Sequence, residues 1–325
     1  GAAMFQMPQK LKFGQRTPPA IFPPVLGLLG LGLAWRRAEA VFLTPPAIAD
    51  TILGMVTLLL LWCLLAYGVK LARRPAVFLE DLAVLPGRAG LSAMTMAVML
   101  LGAVLLPYGA GLAGAALLAG LPGHAVLALA VAYKLLTGPA EQRHVTPIWH
   151  LSFVGFILAP LSAVPLGYGA ASEALFYVMV AVSALIWAVS LAQLARRDPP
   201  APLRPLLAIH LSPASLFGLV ALQLGWTGAA LGFAALGALI LAALLIRARY
   251  VAAAGFSPLW GAFTFPLAAF ASLALALGNG QGELFRLAGS VLLVAATGAI
   301  PVIAVKVLQG WAKGQLGAKT NAATA

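Results

Sequence analysis

The chain has 325 residues, 62% of them hydrophobic and only 9% charged, with a mean hydropathy of +1.00, whereas a soluble domain carries about 25% charged residues. Such a balance excludes a soluble enzyme and leaves an integral membrane protein. The formal net charge of +12 does not argue for a nucleic-acid partner, because the basic residues fall in short loops between apolar runs, the pattern of membrane topogenesis.

Residues 1–18 are polar and basic without a cleavable apolar core, and are expected to be a cytoplasmic segment. Apolar runs then follow at about 19–36, 47–70, 88–107, 112–136, 146–166, 170–195, 202–224, 227–247, 257–277 and 284–309. Each is long enough to cross roughly 30 Å of hydrocarbon as a helix. They are rich in Leu and Ala and lack the alternation of barrel strands, so each span satisfies its own backbone bonds as a helix. The expected fold is an all-α membrane domain of ten transmembrane helices over 19–309, followed by a flexible cytoplasmic tail at 310–325. Of the 20 Lys and Arg, all but Arg36, Arg37 and Arg286 fall on one side of this ten-span layout. The positive-inside rule therefore places both termini in the cytoplasm of a multi-pass inner (plasma) membrane protein. The single cysteine, Cys63, lies inside the run LLLLWCLLAYG and can build neither a disulfide nor a multi-cysteine metal site within one chain.

Proline follows a second pattern. Odd spans carry Pro23 and Pro24; Pro147, Pro160 and Pro165; Pro205 and Pro213; Pro258 and Pro266, whereas spans two, six and eight carry none. Pro86 and Pro107 flank the third span, and Pro122 and Pro301 break the even-span rule. A proline inside a helix removes a backbone bond, and in lipid the freed carbonyl needs protein or water as partner. One reading is that the kinked odd spans line a conduit while the even ones face lipid; the other is that the prolines merely adjust packing.

Chemistry-bearing groups are sparse. The eight carboxylates, Glu39, Asp50, Glu80, Asp81, Glu141, Glu173, Asp198 and Glu283, all sit in loops or at span ends, which disfavours a carboxylate proton relay. His210, in LLAIHLSPAS, is a candidate titrating group, or else a neutral histidine bonded to a carbonyl freed by Pro213. His124 follows Pro122 in a turn-like LPGH, and His144 and His150 flank TPIW. No pair has the spacing of a helical metal site, and no metal, catalytic or cofactor motif is found. Serines 152, 162, 212, 215 and 272 could offer hydroxyls to a passing anion or could cap freed carbonyls. A conduit with few polar groups suits weakly hydrated anions and can be closed by an apolar constriction. Trp260, Phe263, Phe265 and Phe270 are the bulkiest candidates for a plug. Phe263 and Phe265 lie about 200° apart on an ideal helix, and Phe265 directly precedes Pro266.

FPPVLGLLGLGLAWR (22–36), TPIWHLSFVGFILAPLSAVPLG (146–167), PLRPLLAIHLSPASLFGLV (202–220) and SPLWGAFTFPLAAFA (257–271) together resemble the TehA tellurite-resistance and dicarboxylate-transporter family, which includes the slow-type anion channels of plant guard cells. The resemblance runs over all ten spans. It implies five helical hairpins around a central pore, odd helices inside and even ones outside, in a homotrimer with one pore per protomer. It also implies that Phe265 in FTFP occludes the pore, and that Gly27 in VLGLLG marks a place where a larger side chain would obstruct it. Pro24, Pro160, Pro213 and Pro266 match kink positions, and Phe153 and Phe217 join the candidates for the wall. The long cytoplasmic extensions of the plant channels have no counterpart here. Two functions stay open: a channel for small monovalent anions such as chloride or nitrate, and a proton-linked or facilitative carrier for dicarboxylate, sulfite or tellurium oxyanions. A membrane enzyme ranks behind both.

Overall fold

The structure, a computed structural model, describes residues 10–325. Among them the chain is helical from end to end, and nine helices are long and apolar enough to cross a membrane. In chain order these are α1 (Pro19–Phe42), α2 (Pro46–Arg73), α3 (Leu85–Tyr108), α4 (Ala110–Thr137), then α6 (Gly169–Arg196), α7 (Ala201–Gln223), α8 (Thr227–Ile246), α9 (Pro258–Gly278) and α10 (Glu283–Ala312). The fifth expected span is the shorter, broken α5 (Ile148–Ala163). The first is longer than expected. WRRAEAVF has no glycine or proline to stop it, so the helix runs on until Leu43 takes a left-handed conformation at φ 54° and returns its N–H to Glu39.

Burial divides the helices in two. In their most apolar stretches α1, α3, α7 and α9 bury 72, 61, 83 and 78% of residues, whereas α2, α4, α6, α8 and α10 bury 33% or fewer. The even helices turn Leu58, Trp62, Leu129, Leu185, Leu239 and Val294 outward, a surface that only lipid or a partner can cover. The odd segments close a ring, α1 on α3, α3 on α5, α5 on α7, α7 on α9 and α9 back on α1. Each even helix packs on the odd segment before it.

The odd segments share a second property. All five contain a 3₁₀ tract, and none of the even helices does. Pro160, Pro213 and Pro266 each follow such a tract: Gly155–Leu158, Ala201–His210 and Pro258–Phe263. They sit in the first turn of the α-helical part that comes next, where a backbone N–H has no intrahelical partner to lose. This corrects the expected kinks: these prolines start helices after a tighter coil and remove no interior bond.

The tail expected to be flexible is packed. Leu316, Gly317, Thr320 and Ala322 are buried. Arg16 Nε donates to Ala322 O at 3.0 Å, Arg74 Nη2 to Thr324 O at 2.8 Å, and Ala325 N to Gln15 O at 2.8 Å. Beneath it lies a closed polar knot. Lys70 Nζ donates to Asp81 Oδ2 at 2.8 Å and to Thr17 O at 3.0 Å, Tyr67 OH donates to the same carboxylate oxygen at 2.8 Å, and Ala323 N to Asp81 Oδ1 at 2.8 Å. Both charged side chains are fully buried. On the same side of the molecule Tyr250 donates to Asp198 at 2.9 Å under the guanidinium of Arg204. Burial and the Asp198 carboxylate hold that phenol above its ordinary range.

Candidate functional site: a cavity ringed by the odd helices

The N-terminal ends of the odd segments converge on a small cavity of about 40 Å³. Its wall comes from α1, α3, α5, α7 and α9, together with Thr320 of the tail, and takes no residue from an even helix. Pro23, Leu26, Ala93, Leu151 and Ile209 make it apolar; no charged side chain lines it. Its one buried polar group from the ring is Ser212, whose hydroxyl has no hydrogen-bond partner among the described residues.

Phe265 and Pro266 stand on the cavity wall. The Phe265 ring is 5% exposed and rests on α1 where Gly30 leaves room: a Cβ there would come 3.1 Å from Phe265 Cδ2. The preceding residue fixes the height of α9 against α1, since the Thr264 hydroxyl lies 2.7 Å from Gly261 O and 3.2 Å from Pro23 O. Gly30 was missed in the sequence, although the i, i+3 spacing of Gly27 and Gly30 marks a face of close approach.

Other expected wall residues are placed elsewhere. Gly27 faces α9 directly, and any Cβ on it would overlap the Thr264 side chain; it is a helix contact, off the cavity wall. Pro24 is buried against Gly261 in the same α1–α9 contact. Phe153 stacks edge-on against Trp149 at 5.4 Å. Phe217 is fully buried in an aromatic cluster with Phe176, Trp187 and Phe233. That cluster binds α7 to its outer neighbours α6 and α8, so the ring points away from the centre.

His210 is bonded to another histidine and not to a carbonyl freed by Pro213. Its Nδ1 lies 3.0 Å from His150 Nε2, and His150 Nδ1 lies 3.2 Å from Ser183 Oγ. The pair locks α5 to α7 beside the cavity residues Leu151 and Ile209. Sixty residues of sequence separate the two rings, and helical spacing cannot connect them. LPGH is helical within α4. His124 Nε2 faces Ser152 O at 3.0 Å, so it donates there and Nδ1 accepts from Thr95 at 2.7 Å. That histidine is a satisfied strut between α3, α4 and α5.

An apolar cavity enclosed by a ring of broken helices within a lipid-facing coat defines a membrane transport protein. Over residues 16–308 the chain matches the SLAC1 family, the voltage-dependent anion channels, and it belongs to that family. Its function is anion transport across a membrane, and the family is one of channels and transporters rather than enzymes. A search of curated proteins gave no match.

Proposed function

We propose that the chain is a channel for small monovalent anions such as chloride and nitrate, with its conduit along the centre of the odd ring and Phe265 as the gate. The observation that supports this is a cavity walled only by odd segments and Thr320, free of charged side chains, whose wall includes Phe265. Without fixed charge in that wall, passage depends on how readily an ion sheds water, which favours weakly hydrated anions. In this reading all ten segments cross the inner membrane as five hairpins, with both termini cytoplasmic. The cavity, which the tail borders, is then the cytoplasmic vestibule. The protein assembles as a homotrimer with one conduit per protomer, and light scattering in detergent is expected to give three times the 33.4 kDa protomer mass; a monomer mass overturns that assembly.

The test is flux through the Phe265→Ala protein in a bilayer under a chloride gradient. A current that reverses near the chloride equilibrium potential and rises without saturation supports the channel. The His150–His210 pair beside the cavity favours a second reading, a proton-linked carrier for dicarboxylate, sulfite or tellurium oxyanions. Saturation at low substrate and a response to an imposed pH gradient would select the carrier instead.

A further inference from the structure

The directions in which α1 meets its neighbours can be read residue by residue. Gly32 faces Leu53 of α2. Arg36 reaches α3, donating to Ala103 O at 3.3 Å and Val104 O at 3.1 Å. Trp35 Nε1 donates to Thr297 Oγ1 of α10 at 3.0 Å, Ala34 and Ala38 share a buried cluster with α9 and α10, and Gly30 meets Ala268 and Phe265 of α9. One sector of the helix remains, between the sides facing α9 and α3, and it looks into the ring. Leu26, on the cavity wall, occupies it. At about 100° per residue, Arg37 returns to within about 20° of Leu26, and at about 1.5 Å per residue it lies roughly 10 Å beyond Gly30. Arg37 therefore faces the ring's interior on the far side of Phe265 from the cavity.

It is a charge without a counterion. The ion pairs among the described residues are Lys70–Asp81, Arg74–Glu80 and Arg286–Glu283, and Arg37 makes no side-chain hydrogen bond there. Glu39, two residues on, is about 200° round the helix. The residue as a whole is half-buried. Arginine keeps its proton in any such setting, and an unpaired guanidinium shielded from bulk water attracts anions and repels cations more strongly than one in open water.

We propose that Arg37 is an anion seat in the half of the conduit beyond Phe265, taking small monovalent anions and holding planar oxyanions such as nitrate by two parallel N–H donors. The inference rests on the gated-conduit reading. It adds a fixed charge to a pathway whose opposite vestibule has none, and it assigns anion-over-cation preference to that residue.

Two measurements test it. The first needs no open gate: nitrate replacing gluconate at fixed ionic strength is expected to raise the melting temperature of the parent protein and not of Arg37→Gln. Equal shifts in both overturn the seat whether or not any variant conducts. The second uses the Phe265→Ala background. Arg37→Gln and Arg37→Cys are expected to lower single-channel chloride conductance several-fold and to weaken preference for chloride over sodium, while Arg37→Lys keeps that preference. Cys63, the sole native cysteine, is buried, so thiol reagents report on position 37. A trimethylammonium methanethiosulfonate is expected to restore conductance to Arg37→Cys and a sulfonate reagent to leave it low. Current in Phe265→Ala that is indifferent to Arg37→Gln and to the sign of the reagent overturns the seat alone; no anion current in Phe265→Ala overturns the gated conduit, and the nitrate melt still decides the seat.

Discussion

Replacing Phe265 with alanine is expected to raise anion conductance at least about tenfold over the parent, since an apolar constriction blocks ions by excluding their water. The parent ring is 5% exposed and rests on the space left at Gly30. Removing it joins the cavity to the region beyond without disturbing Thr264, which holds α9 to α1 by its own hydroxyl. A size series sharpens the result: Phe265→Leu is expected to conduct less than Phe265→Ala, and Phe265→Trp to stay closed. Patch-clamp recording at matched surface expression reads all three. Indistinguishable currents from parent and Phe265→Ala would remove this ring as the gate.

The second large effect is on stability. Asp81→Ala strands the fully buried ammonium of Lys70 and leaves Tyr67 OH and Ala323 N without their acceptor. Breaking one partner of a buried ion pair costs about 3–5 kcal/mol. Thermal unfolding in detergent is expected to show that loss, and trypsin to cut sooner at the exposed Lys313 and Lys319 as the tail comes free. The double variant Lys70→Met/Asp81→Leu is expected to recover part of the stability, because an apolar pair needs no counter-charge while Tyr67 OH and Ala323 N still lack their acceptor. An Asp81→Ala protein that melts with the parent would show that the knot does not hold the tail.

The more buried odd helices left a trace in the proline pattern, which by itself allowed either a lined conduit or adjusted packing. What the prolines do there was not legible. Sequence suggests kinks, whereas Pro160, Pro213 and Pro266 stand where helices begin, a distinction of one turn that composition does not carry. Phe265 was readable beside Pro266. The place of Arg37 within a helix was not, because counting basic residues by side treats it as a loop charge, whereas α1 extends to Phe42. The meeting of His150 with His210 and of Asp81 with Lys70 depends on tertiary packing, which local spacing does not encode. Asp81 was correctly placed outside the spans, yet its burial under the tail has no signature in the run VFLEDL.

The tight coil ahead of Phe265 sets the bearing of the ring. Pro258–Phe263 is six residues of 3₁₀ helix, each turning about 120° where an α-helical residue turns about 100°. Rewinding those six as α-helix would swing Phe265 by about 120°, a third of a circle, and draw it back by about 3 Å. The orientation of that side chain is thus stored in the backbone before it. If Phe265 is the proposed gate, a change of winding there would swing the ring out of the conduit while the side chain keeps its rotamer.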